Sequence, residues 1–387
     1  MLKAKRIFLL GATGSIGENA LKVIRNYPED FELIGVSADQ NADKLASICE
    51  EFGVKAAALT GLKSFDEIEK QSVFPAYTKL FRGNDGLEEL ILSDKADMAI
   101  VAITGACALA PTLIAINQGM DIALANKEAL VLGGSFILEA AHKKNIQLLP
   151  IDSEHNAIFQ CLQGYKKEDL KSVTLTASGG SCRDVPLELL KDFRPNQAIQ
   201  HPNWKMGKKI TVDSSTMANK GLELIEAKWL FDLSFDQLKV VVHPQSIVHS
   251  FVEWIDGSIL AQLSPPSMTF PIQHCLYYPH KKAAIQPSLD FKQSLNLEFY
   301  PPDLNRYPCL ELAYQALKLG PYGGAIYNAS NEIAVARFLK NDILFTDIPK
   351  LIEHALSNIV TESTFSLETL VSLDQEARTK INEYKLN

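Results

Sequence analysis

A short apolar segment followed at once by a glycine turn and a helix is the feature that most limits how this chain can fold. Residues Arg6–Leu10 (RIFLL) predict a buried strand, GATGSIG occupies Gly11–Gly17, and apolar residues recur at helical spacing over Ile16–Arg25. Glycines permit a tight bend and a close backbone approach, and the first N–H groups of the helix face an anion. This pattern predicts the phosphate-binding turn of a dinucleotide site. An ordinary βα turn is the alternative, because G-x-x-G-x-x-G differs from the usual G-x-G-x-x-G.

Strands and helices continue to alternate after this turn. Helices are predicted over Asp43–Phe52 and Pro111–Gln118. The further predicted strands are Phe31–Val36, Ala56–Leu59, Met98–Ile103, Ile122–Ala125 and Ile146–Ile151. Repeated βα units predict a Rossmann-like, doubly wound parallel sheet, in which ligands bind at the carboxyl ends of the strands. Ile103–Gly105 and the polar residues Asn126, Lys127 and Glu128 stand at such ends, although a solvated loop is the alternative for the latter three.

Composition limits the partners and the compartment. With 387 residues the chain is long enough for two or three domains. A net charge of -8 without long runs of one sign argues against nucleic acid or an anionic membrane as the partner. The six cysteines form no CxxC pair, and no run of about 18 apolar residues occurs, so we expect reduced thiols, no membrane span and a cytoplasmic location.

Two carboxylates follow the sixth predicted strand, Ile146–Ile151. In extended chain Asp152 and Glu154 would point to the same side, where their repulsion calls for a cation or a proton between them. Glu223 offers a third carboxylate. Three carboxylates suit Mg²⁺ or Mn²⁺ better than Zn²⁺, whereas a lone D-x-E is also common on protein surfaces.

Polar residues are concentrated between His201 and Glu223. This stretch holds a loop, HPNWKMG, in which Trp204 could cover a ligand and Gly207 could act as a hinge. Ser214 or Ser215 is expected to cap a helix that begins near Thr216. The polar residues that this helix would carry on one face are Asn219, Lys220 and Glu223.

A Ser-Gly-Gly turn precedes this stretch. Val173–Thr176 is predicted to be a strand, and Ser178 begins the turn that follows it. Such a turn exposes backbone N–H groups and a hydroxyl, as a phosphate cradle does. Together the turn and the polar stretch predict a site for a small, polar, anionic ligand.

These motifs, taken together, resemble the 1-deoxy-D-xylulose 5-phosphate reductoisomerase family of the non-mevalonate isoprenoid pathway. The matching segments occur in the family's order and span most of the chain: GATGSIG, LANKEALV, DSEHNAIFQ, TASGG, HPNWKMG, VDSSTMANKGLE and NASNEIAV. The resemblance implies a homodimer whose chains have a nucleotide domain (residues 1–151), a central α/β catalytic domain (152–285), a linker (286–307) and a C-terminal helical domain (308–387).

The resemblance also implies roles for single residues. The divalent metal, Mn²⁺, Mg²⁺ or Co²⁺, would be bound by Asp152, Glu154 and Glu223. The catalytic residues would be these three with Lys127 and His201. The sugar phosphate would be bound by Lys127, Ser153, Glu154, Ser178, His201, Ser214, Asn219, Lys220 and Glu223. NADPH would be bound by Thr13, Gly14, Ser15, Ile16, Gln40, Asn41, Asn126, Glu128 and Gly207, with Met206 near the nicotinamide.

The implied reaction is a metal-dependent rearrangement of the carbon skeleton followed by hydride transfer from NADPH, which gives 2-C-methyl-D-erythritol 4-phosphate. Another Rossmann-type dehydrogenase would leave the acidic residues without a role. An inactive nucleotide sensor would usually lose some of them, and here every matched residue is present.

The chain departs from the family's pattern in two places. Asp39 and Gln40 stand where glycine and a basic residue are usual, and a carboxylate there favours a free ribose 2′-hydroxyl over a 2′-phosphate. Lys44 is a candidate to reach the phosphate instead. The second departure is Ser181-Cys182, where Pro-Phe is common.

Overall fold

The computed structural model describes residues 3–61, 73–204, 206–359 and 365–385. These residues form two compact units. Unit 1 comprises Met1–Ala129, Phe136–Asn156 and Met268–Pro287, and unit 2 comprises Leu130–Ser135, Ala157–Ser267 and Ser288–Asn387.

Unit 1 contains a seven-stranded, fully parallel sheet in the order β4-β3-β2-β1-β5-β6-β7. Its strands are β1 (Lys5–Leu10), β2 (Phe31–Ala38), β3 (Ala56–Leu59), β4 (Lys79–Arg82), β5 (Met98–Val101), β6 (Asp121–Leu124) and β7 (Leu148–Pro150). The helices that follow strands along the chain here are α1 (Ser15–Asn26), α2 (Ala42–Phe52), α3 (Gly83–Leu92), α4 (Leu109–Asn117) and α5 (Lys127–Lys144). The predicted α/β fold with a parallel, doubly wound sheet is confirmed.

Strand β1 lies at the centre of the sheet, where the edge that binds ligands is expected. Its residues from Ile7 to Leu10 are fully buried, as expected of a central strand with both faces covered. Leu10, its last residue, pairs with Ser37 of β2 on one side and Val101 of β5 on the other. The strand order reverses at this point, so the carboxyl ends of β1, β2 and β5 form the edge at which doubly wound sheets bind ligands.

Strand β4 was not predicted from the sequence. Within the described part of the chain it pairs only with β3, at the edge of the sheet, and of its four residues only Phe81 is buried. An edge strand this short and polar lacks the apolar run by which the other six strands of this sheet were recognised.

Unit 2 contains a four-stranded mixed sheet in the order β11-β10-β8-β9. Strands β8 (Leu170–Ala177) and β9 (Leu238–Val242) are parallel, whereas β10 (Val248–Trp254) runs antiparallel to β8 and to β11 (Ile259–Leu263). The helices that follow α5 up to the end of this sheet are α6 (Ser153–Leu162), α7 (Pro195–Ala198), α8 (Lys208–Thr216) and α9 (Ala218–Phe231).

Helices dominate the C-terminal part. Helix α10 (Thr269–Tyr277) belongs to unit 1. The later ones, all in unit 2, are α11 (Pro308–Lys318), α12 (Gly323–Leu339), α13 (Ile348–Asn358) and α14 (Leu367–Glu383). Residues 286–306 form neither a helix nor an extended strand, apart from a bridge of Tyr300 to Val242.

The two units divide the chain differently from the predicted domains, because Met268–Pro287 lies in unit 1 and the C-terminal helices share unit 2 with the mixed sheet. All six cysteines are free thiols. Across the described residues, we find no helix that is both long and apolar enough to span a membrane.

Candidate active site

The glycine turn of unit 1 is shaped by close backbone contacts. A Cβ at Gly11, whose φ is +91°, would lie 2.5 Å from the carbonyl oxygen of Ala102. A Cβ at Gly17 would lie 2.4 Å from the carbonyl oxygen of Ala12, so helix α1 can pack against the turn only without a side chain there. The corresponding contact at Gly14 is an ordinary 3.5 Å. Gly14 precedes the first residue of α1, where backbone N–H groups lack intrahelical partners and can face an anion.

Three polar residues follow strand β2. The Oδ1 atom of Asp39 accepts a hydrogen bond from the Thr60 hydroxyl at 3.0 Å. Asn41 caps helix α2 by accepting from the backbone N–H of Lys44 at 3.2 Å. The Lys44 ammonium donates to the carbonyl oxygen of Thr13 at 2.9 Å and pairs with Glu18 at 2.7 Å. Lys44 therefore ties α2 to the glycine turn, a role that the sequence did not suggest.

Asn126 connects the segments that follow the neighbouring strands β5 and β6. Its Oδ1 atom caps helix α5 by accepting from the Ala129 N–H at 2.6 Å. Its Nδ2 atom donates to the carbonyl oxygens of Ile103 and Gly105, at 2.8 and 3.1 Å, and to Glu128 Oε2 at 3.0 Å. Both polar atoms of this buried side chain thus hold the loop after β5 against the start of α5.

Lys127 and Asp152 form a charge pair. The Lys127 ammonium donates to Asp152 Oδ2, and His155 Nδ1 lies 3.2 Å from the same oxygen. Burial by itself would raise the pKa of Asp152, but the charge of Lys127 and the hydrogen bond from His155 outweigh it and hold that pKa well below its usual range. Asp152 is therefore an ionised carboxylate at neutral pH.

The expected extended Asp-x-Glu arrangement is wrong. Strand β7 ends at Pro150 and helix α6 begins at Ser153, so Asp152 lies at a strand-to-helix junction and Glu154 lies in the first turn of the helix. The Ser153 hydroxyl donates to Glu154 Oε2 at 2.7 Å. His155 was not predicted as part of this group, although a spacing of three residues across a helix start would have indicated it.

In unit 2, His201 is hydrogen bonded to two serines. Its Nε2 atom lies 2.9 Å from the Ser178 hydroxyl and 3.1 Å from the Ser214 hydroxyl. Its Nδ1 atom accepts from the backbone N–H groups of Asn203 and Trp204. Since an accepting Nδ1 carries no proton, the neutral ring has its proton on Nε2 and presents a donor to the serines.

The Ser-Gly-Gly turn packs against the end of helix α8. Gly180 has a φ of +65°, and a Cβ there would lie 2.5 Å from Ser215 Cα. The hydroxyls of Ser181 and Ser215 are 2.7 Å apart, and the Cys182 thiol donates to the Ser215 carbonyl oxygen at 2.8 Å. Ser181 and Cys182, which stand where Pro-Phe is common in the family, thus connect the turn to α8 by hydrogen bonds.

Two residues from the linker's end support this turn. Arg306 Nη1 donates to the Cys182 carbonyl oxygen at 2.9 Å, and the buried Tyr307 hydroxyl donates to the Gly179 carbonyl oxygen at 2.8 Å. Sequence reasoning missed both, because more than 120 residues separate each from its partner.

The expected helix cap at Ser214 or Ser215 is wrong. Both serines lie in the last turn of α8, which ends at Thr216, and α9 begins at Ala218. Met217 separates the two helices with a left-handed φ of +57°. Met217 therefore interrupts the helical stretch, and Ser214 reaches His201 from the end of α8 rather than from the start of a helix.

Asn219, Lys220 and Glu223 lie together on α9, as their spacing predicted. The Asn219 amide donates to Glu223 Oε1, and the Lys220 ammonium donates to Glu223 Oε2. Glu223 is only 1% exposed and Lys220 only 3%. Buried charges are expensive unless paired, and here both carboxylate oxygens of Glu223 accept hydrogen bonds.

The HPNWKMG segment is a loop in its described residues, as predicted; Lys205 lies outside them. The Asn203 amide donates to the Pro244 carbonyl oxygen at 2.6 Å and to the Ser246 hydroxyl at 2.8 Å. Gly207 directly precedes α8. A closing motion of this loop stays a prediction.

The predicted metal ligands are distributed over both units: Asp152 and Glu154 belong to unit 1 and Glu223 to unit 2. Unit 1 also holds every predicted NADPH residue except Gly207, and unit 2 holds the predicted phosphate-binding residues.

Three family models match the chain. A 1-deoxy-D-xylulose 5-phosphate reductoisomerase model matches residues 7–134, its C-terminal domain model residues 148–231, and a DXP reductoisomerase C-terminal domain model residues 263–380. The 1-deoxy-D-xylulose 5-phosphate reductoisomerase of Idiomarina loihiensis is 43% identical over 98% of both chains. That of Clostridium novyi is 44% identical over 98% of this chain and 99% of its own.

Solved structures agree. A crystal structure of DOX-P reductoisomerase with NADPH, fosmidomycin and magnesium has a TM-score of 0.91 at 37% identity, covering 97% of each chain. The Zymomonas mobilis enzyme in complex with NADPH has a TM-score of 0.90 at 38% identity, covering 98% of each chain. The chain therefore belongs to the 1-deoxy-D-xylulose 5-phosphate reductoisomerase family, as its motifs predicted.

Proposed function

We propose that the clusters described in the two units carry out the reductoisomerase reaction. The activity follows from family membership: the chain is an NADPH-dependent oxidoreductase that uses a divalent metal and converts 1-deoxy-D-xylulose 5-phosphate to 2-C-methyl-D-erythritol 4-phosphate. The observation that carries the residue assignment is Glu223, a buried carboxylate whose two oxygens accept from Asn219 and Lys220 within a motif of the family.

We assign the metal to Asp152, Glu154 and Glu223. Their donor chemistry fits, because hard divalent ions prefer carboxylate oxygens, and Lys127 keeps Asp152 ionised. When bound, the metal would stabilise negative charge on substrate oxygens during the rearrangement. We expect Mn²⁺ as well as Mg²⁺ and Co²⁺ to support activity, since oxygen ligands discriminate weakly among them.

We assign the substrate's phosphate and hydroxyls to five residues of unit 2. Neutral His201 offers one N–H, Ser178 and Ser214 offer hydroxyls that already contact this ring, and Lys220 offers positive charge. Asn219, which like Lys220 donates to Glu223, completes the set. Phosphate binding at a distance from the reacting carbons would orient them. Lys127 and Ser153, beside two of the proposed metal ligands, would contact the reacting end.

We assign NADPH to the carboxyl edge of the parallel sheet. The backbone of Thr13, Gly14, Ser15 and Ile16 would bind the pyrophosphate, because the first N–H groups of α1 lack intrahelical partners and can face an anion. NADPH supplies the hydride when bound. Gln40 and Asn41 would lie beside the adenosine ribose, whereas Asn126, with both polar atoms engaged in the loop, would shape the site together with Glu128.

The loop residues His201–Gly207 would exclude water while the reactive intermediate exists. Trp204 is half-buried, its ring centroid 6.5 Å from that of His249, and would close over the substrate, with Met206 and Gly207 near the nicotinamide. Exclusion of water strengthens every charge interaction inside a site and prevents loss of the intermediate.

We further propose that the protein is a cytoplasmic homodimer. We also propose that each chain has the predicted domains, with boundaries at residues 151, 285 and 307. Edge strand β11 exposes Ile259 to 59%, and Phe291 in the linker is 78% exposed. Edge strands and exposed aromatics of this kind favour association with a second copy. Sedimentation analysis that gives a monomer at micromolar concentration would contradict the dimer.

One assay tests the function as a whole. NADPH oxidation is followed with 1-deoxy-D-xylulose 5-phosphate before and after thorough chelation, and after Mn²⁺ is restored. We expect turnover that disappears on chelation and returns with the metal. Turnover without any divalent metal would refute the metal assignment, and oxidation of NADPH by a semialdehyde instead would favour another Rossmann-type dehydrogenase.

A further inference from the structure

Helix α12 carries two fully buried asparagines whose role the motifs leave open. Asn328 and Asn331 belong to the NASNEIAV segment, and both are 0% exposed. A buried asparagine cannot form hydrogen bonds to water and must form them within the protein instead. Its partners therefore indicate its structural role. In each, the side-chain oxygen has no hydrogen-bond partner among the described residues. The two asparagines therefore differ in the partner of the side-chain nitrogen.

The two asparagines have different partners. The Asn328 amide donates to Glu332 Oε1 at 3.3 Å, within its own helix. The Asn331 amide donates to Asp213 Oδ1 at 2.9 Å, on helix α8. An ionised carboxylate only accepts hydrogen bonds, so the contact fixes which way the Asn331 amide faces.

The contact with Asn331 matters because Asp213 is a buried carboxylate. The residue is 1% exposed, and its second oxygen pairs with the ammonium of Lys209 at 2.9 Å, one turn earlier on α8. A buried carboxylate that loses one of its donors costs more than an exposed one, because water cannot replace the lost hydrogen bond. Asp213 therefore holds α8 in register with α12.

Ser214 follows Asp213 directly, in the last turn of α8. Its hydroxyl lies 3.1 Å from His201 Nε2, and the helix ends two residues later before the left-handed Met217. Helix α8 has nine residues, and its last turn also contacts the Ser-Gly-Gly turn through Ser215, so the Asp213–Asn331 pair is one of the contacts that set its register. A shift of α8 by one ångström would break the hydrogen bond of Ser214 to His201.

We propose that Asn331 is a positioning residue for substrate binding: through Asp213 it fixes helix α8 and so the contact between Ser214 and His201. The inference rests on the proposed assignment of Ser178, His201 and Ser214 to the substrate phosphate. It gives the NASNE segment a role that Asn328, bonded within α12, does not share.

The test compares Asn331→Leu with Asn328→Leu in the full chain. Leucine branches at Cγ as asparagine does but is larger, so each variant removes one buried hydrogen bond and adds the same volume at its site. We expect Asn331→Leu to raise KM for 1-deoxy-D-xylulose 5-phosphate about fivefold to tenfold, with KM for NADPH within twofold of the original. Asn328→Leu should leave both KM values within twofold. Asn331→Ala against Asn328→Ala repeats the comparison if a leucine variant does not fold.

Ser214→Ala separates the two ways of failing. Equal changes in the Asn331 and Asn328 variants, or an unchanged substrate KM in Asn331→Leu, would overturn the positioning role while Ser214→Ala still raises KM. An unchanged KM in Ser214→Ala would instead refute the phosphate assignment on which the inference rests.

Discussion

The two units present their candidate ligand-binding groups in different ways. In unit 1 the groups follow strands: the glycine turn follows β1, Asp39 and Gln40 follow β2, and Asn126 follows β6. In unit 2, Ser178, His201 and Ser214 come from a turn, a loop and a helix end, and they meet through side-chain hydrogen bonds.

The difference lies in what presents the ligand-binding groups. Backbone N–H groups at a helix start are provided by the fold itself, and one side chain more or less changes them little. Buried side chains such as Lys220 and Glu223 bind each other and hold each other's charge, so the loss of one leaves its partner uncompensated. We therefore expect larger effects from substitutions in unit 2 than at the cofactor edge of unit 1.

The largest effect is expected at Glu223. Glu223→Gln should lower kcat at least ~1,000-fold, because the charge stabilisation that a bound metal supplies amounts to several kcal/mol. EDTA should likewise abolish the activity of the original protein. The control is Glu253→Gln, since Glu253 is also paired with lysines, Lys171 and Lys239, but on strand β10. Equal losses in both variants, or full activity after chelation, would contradict the metal assignment.

A half-buried histidine away from the site, His274, should act on stability instead. Burial, with a contribution from the charge of Lys281, lowers the pKa of His274 to about 4. The unfolded histidine takes up its proton near pH 6.5 and the folded one only near pH 4, so stability falls as the pH drops through this window. Between pH 7 and pH 5 this loss amounts to about 1–2 kcal/mol.

Replacement of this histidine should remove that loss. His274→Asn keeps an acceptor for the Asn156 amide, 3.1 Å from His274 Nδ1, and should flatten the dependence of the unfolding free energy on pH by that amount. His280→Asn, at an exposed position, is the control. Denaturation at pH 7 and pH 5 measures both, and parallel pH profiles of His274→Asn and the original protein would refute the assignment.

For Ser178, which contacts His201, we expect a substitution to affect substrate binding rather than folding. Ser178→Ala removes a hydroxyl 2.9 Å from His201 and should raise KM for the sugar phosphate about tenfold, the equivalent of one charge-assisted hydrogen bond. The melting temperature should stay within a few degrees. Ser172→Ala is the matched control, because Ser172 lies on β8, the strand that Ser178 follows, and its hydroxyl is bonded to Glu253 at 2.8 Å. A large loss of stability with an unchanged KM would show that Ser178 is structural.

The smallest effect is expected at the cofactor edge. Lys44 is held by Thr13 and Glu18, so residue 40 is the better position from which to add charge beside the 2′-phosphate. Gln40→Arg should widen the ratio of kcat/KM for NADPH over NADH about threefold to tenfold, less than a buried ion pair because the position is exposed. Gln118→Arg adds the same charge at another exposed position. Equal ratios in both variants would show that residue 40 does not face the 2′ position.

Local pattern accounts for much of what the sequence predicted correctly. The strands β1, β2 and β5 were recognisable because central parallel strands are apolar on both faces, and β4 was missed because an edge strand is not. Asn219, Lys220 and Glu223 were grouped correctly because helical spacing alone places them together.

Predictions that depended on where one element ends and the next begins were wrong. Asp152 and Glu154 were expected in extended chain, and Ser214 or Ser215 at a helix start. A single residue, Met217 in the left-handed conformation, divides what reads as one helical stretch into α8 and α9. Methionine rarely adopts this conformation, so its identity gives no signal there.

The sequence by itself determined the parallel sheet, the glycine turn and the family, since these depend on periodicity and on motifs within short segments. Only the tertiary structure decided that His201 lies between Ser178 and Ser214, that Lys44 is held at the glycine turn, and that Asn331 reaches Asp213. These contacts join residues that are distant in the chain. Their partners are chosen by packing and by the need of buried polar groups for hydrogen bonds, which no local pattern encodes.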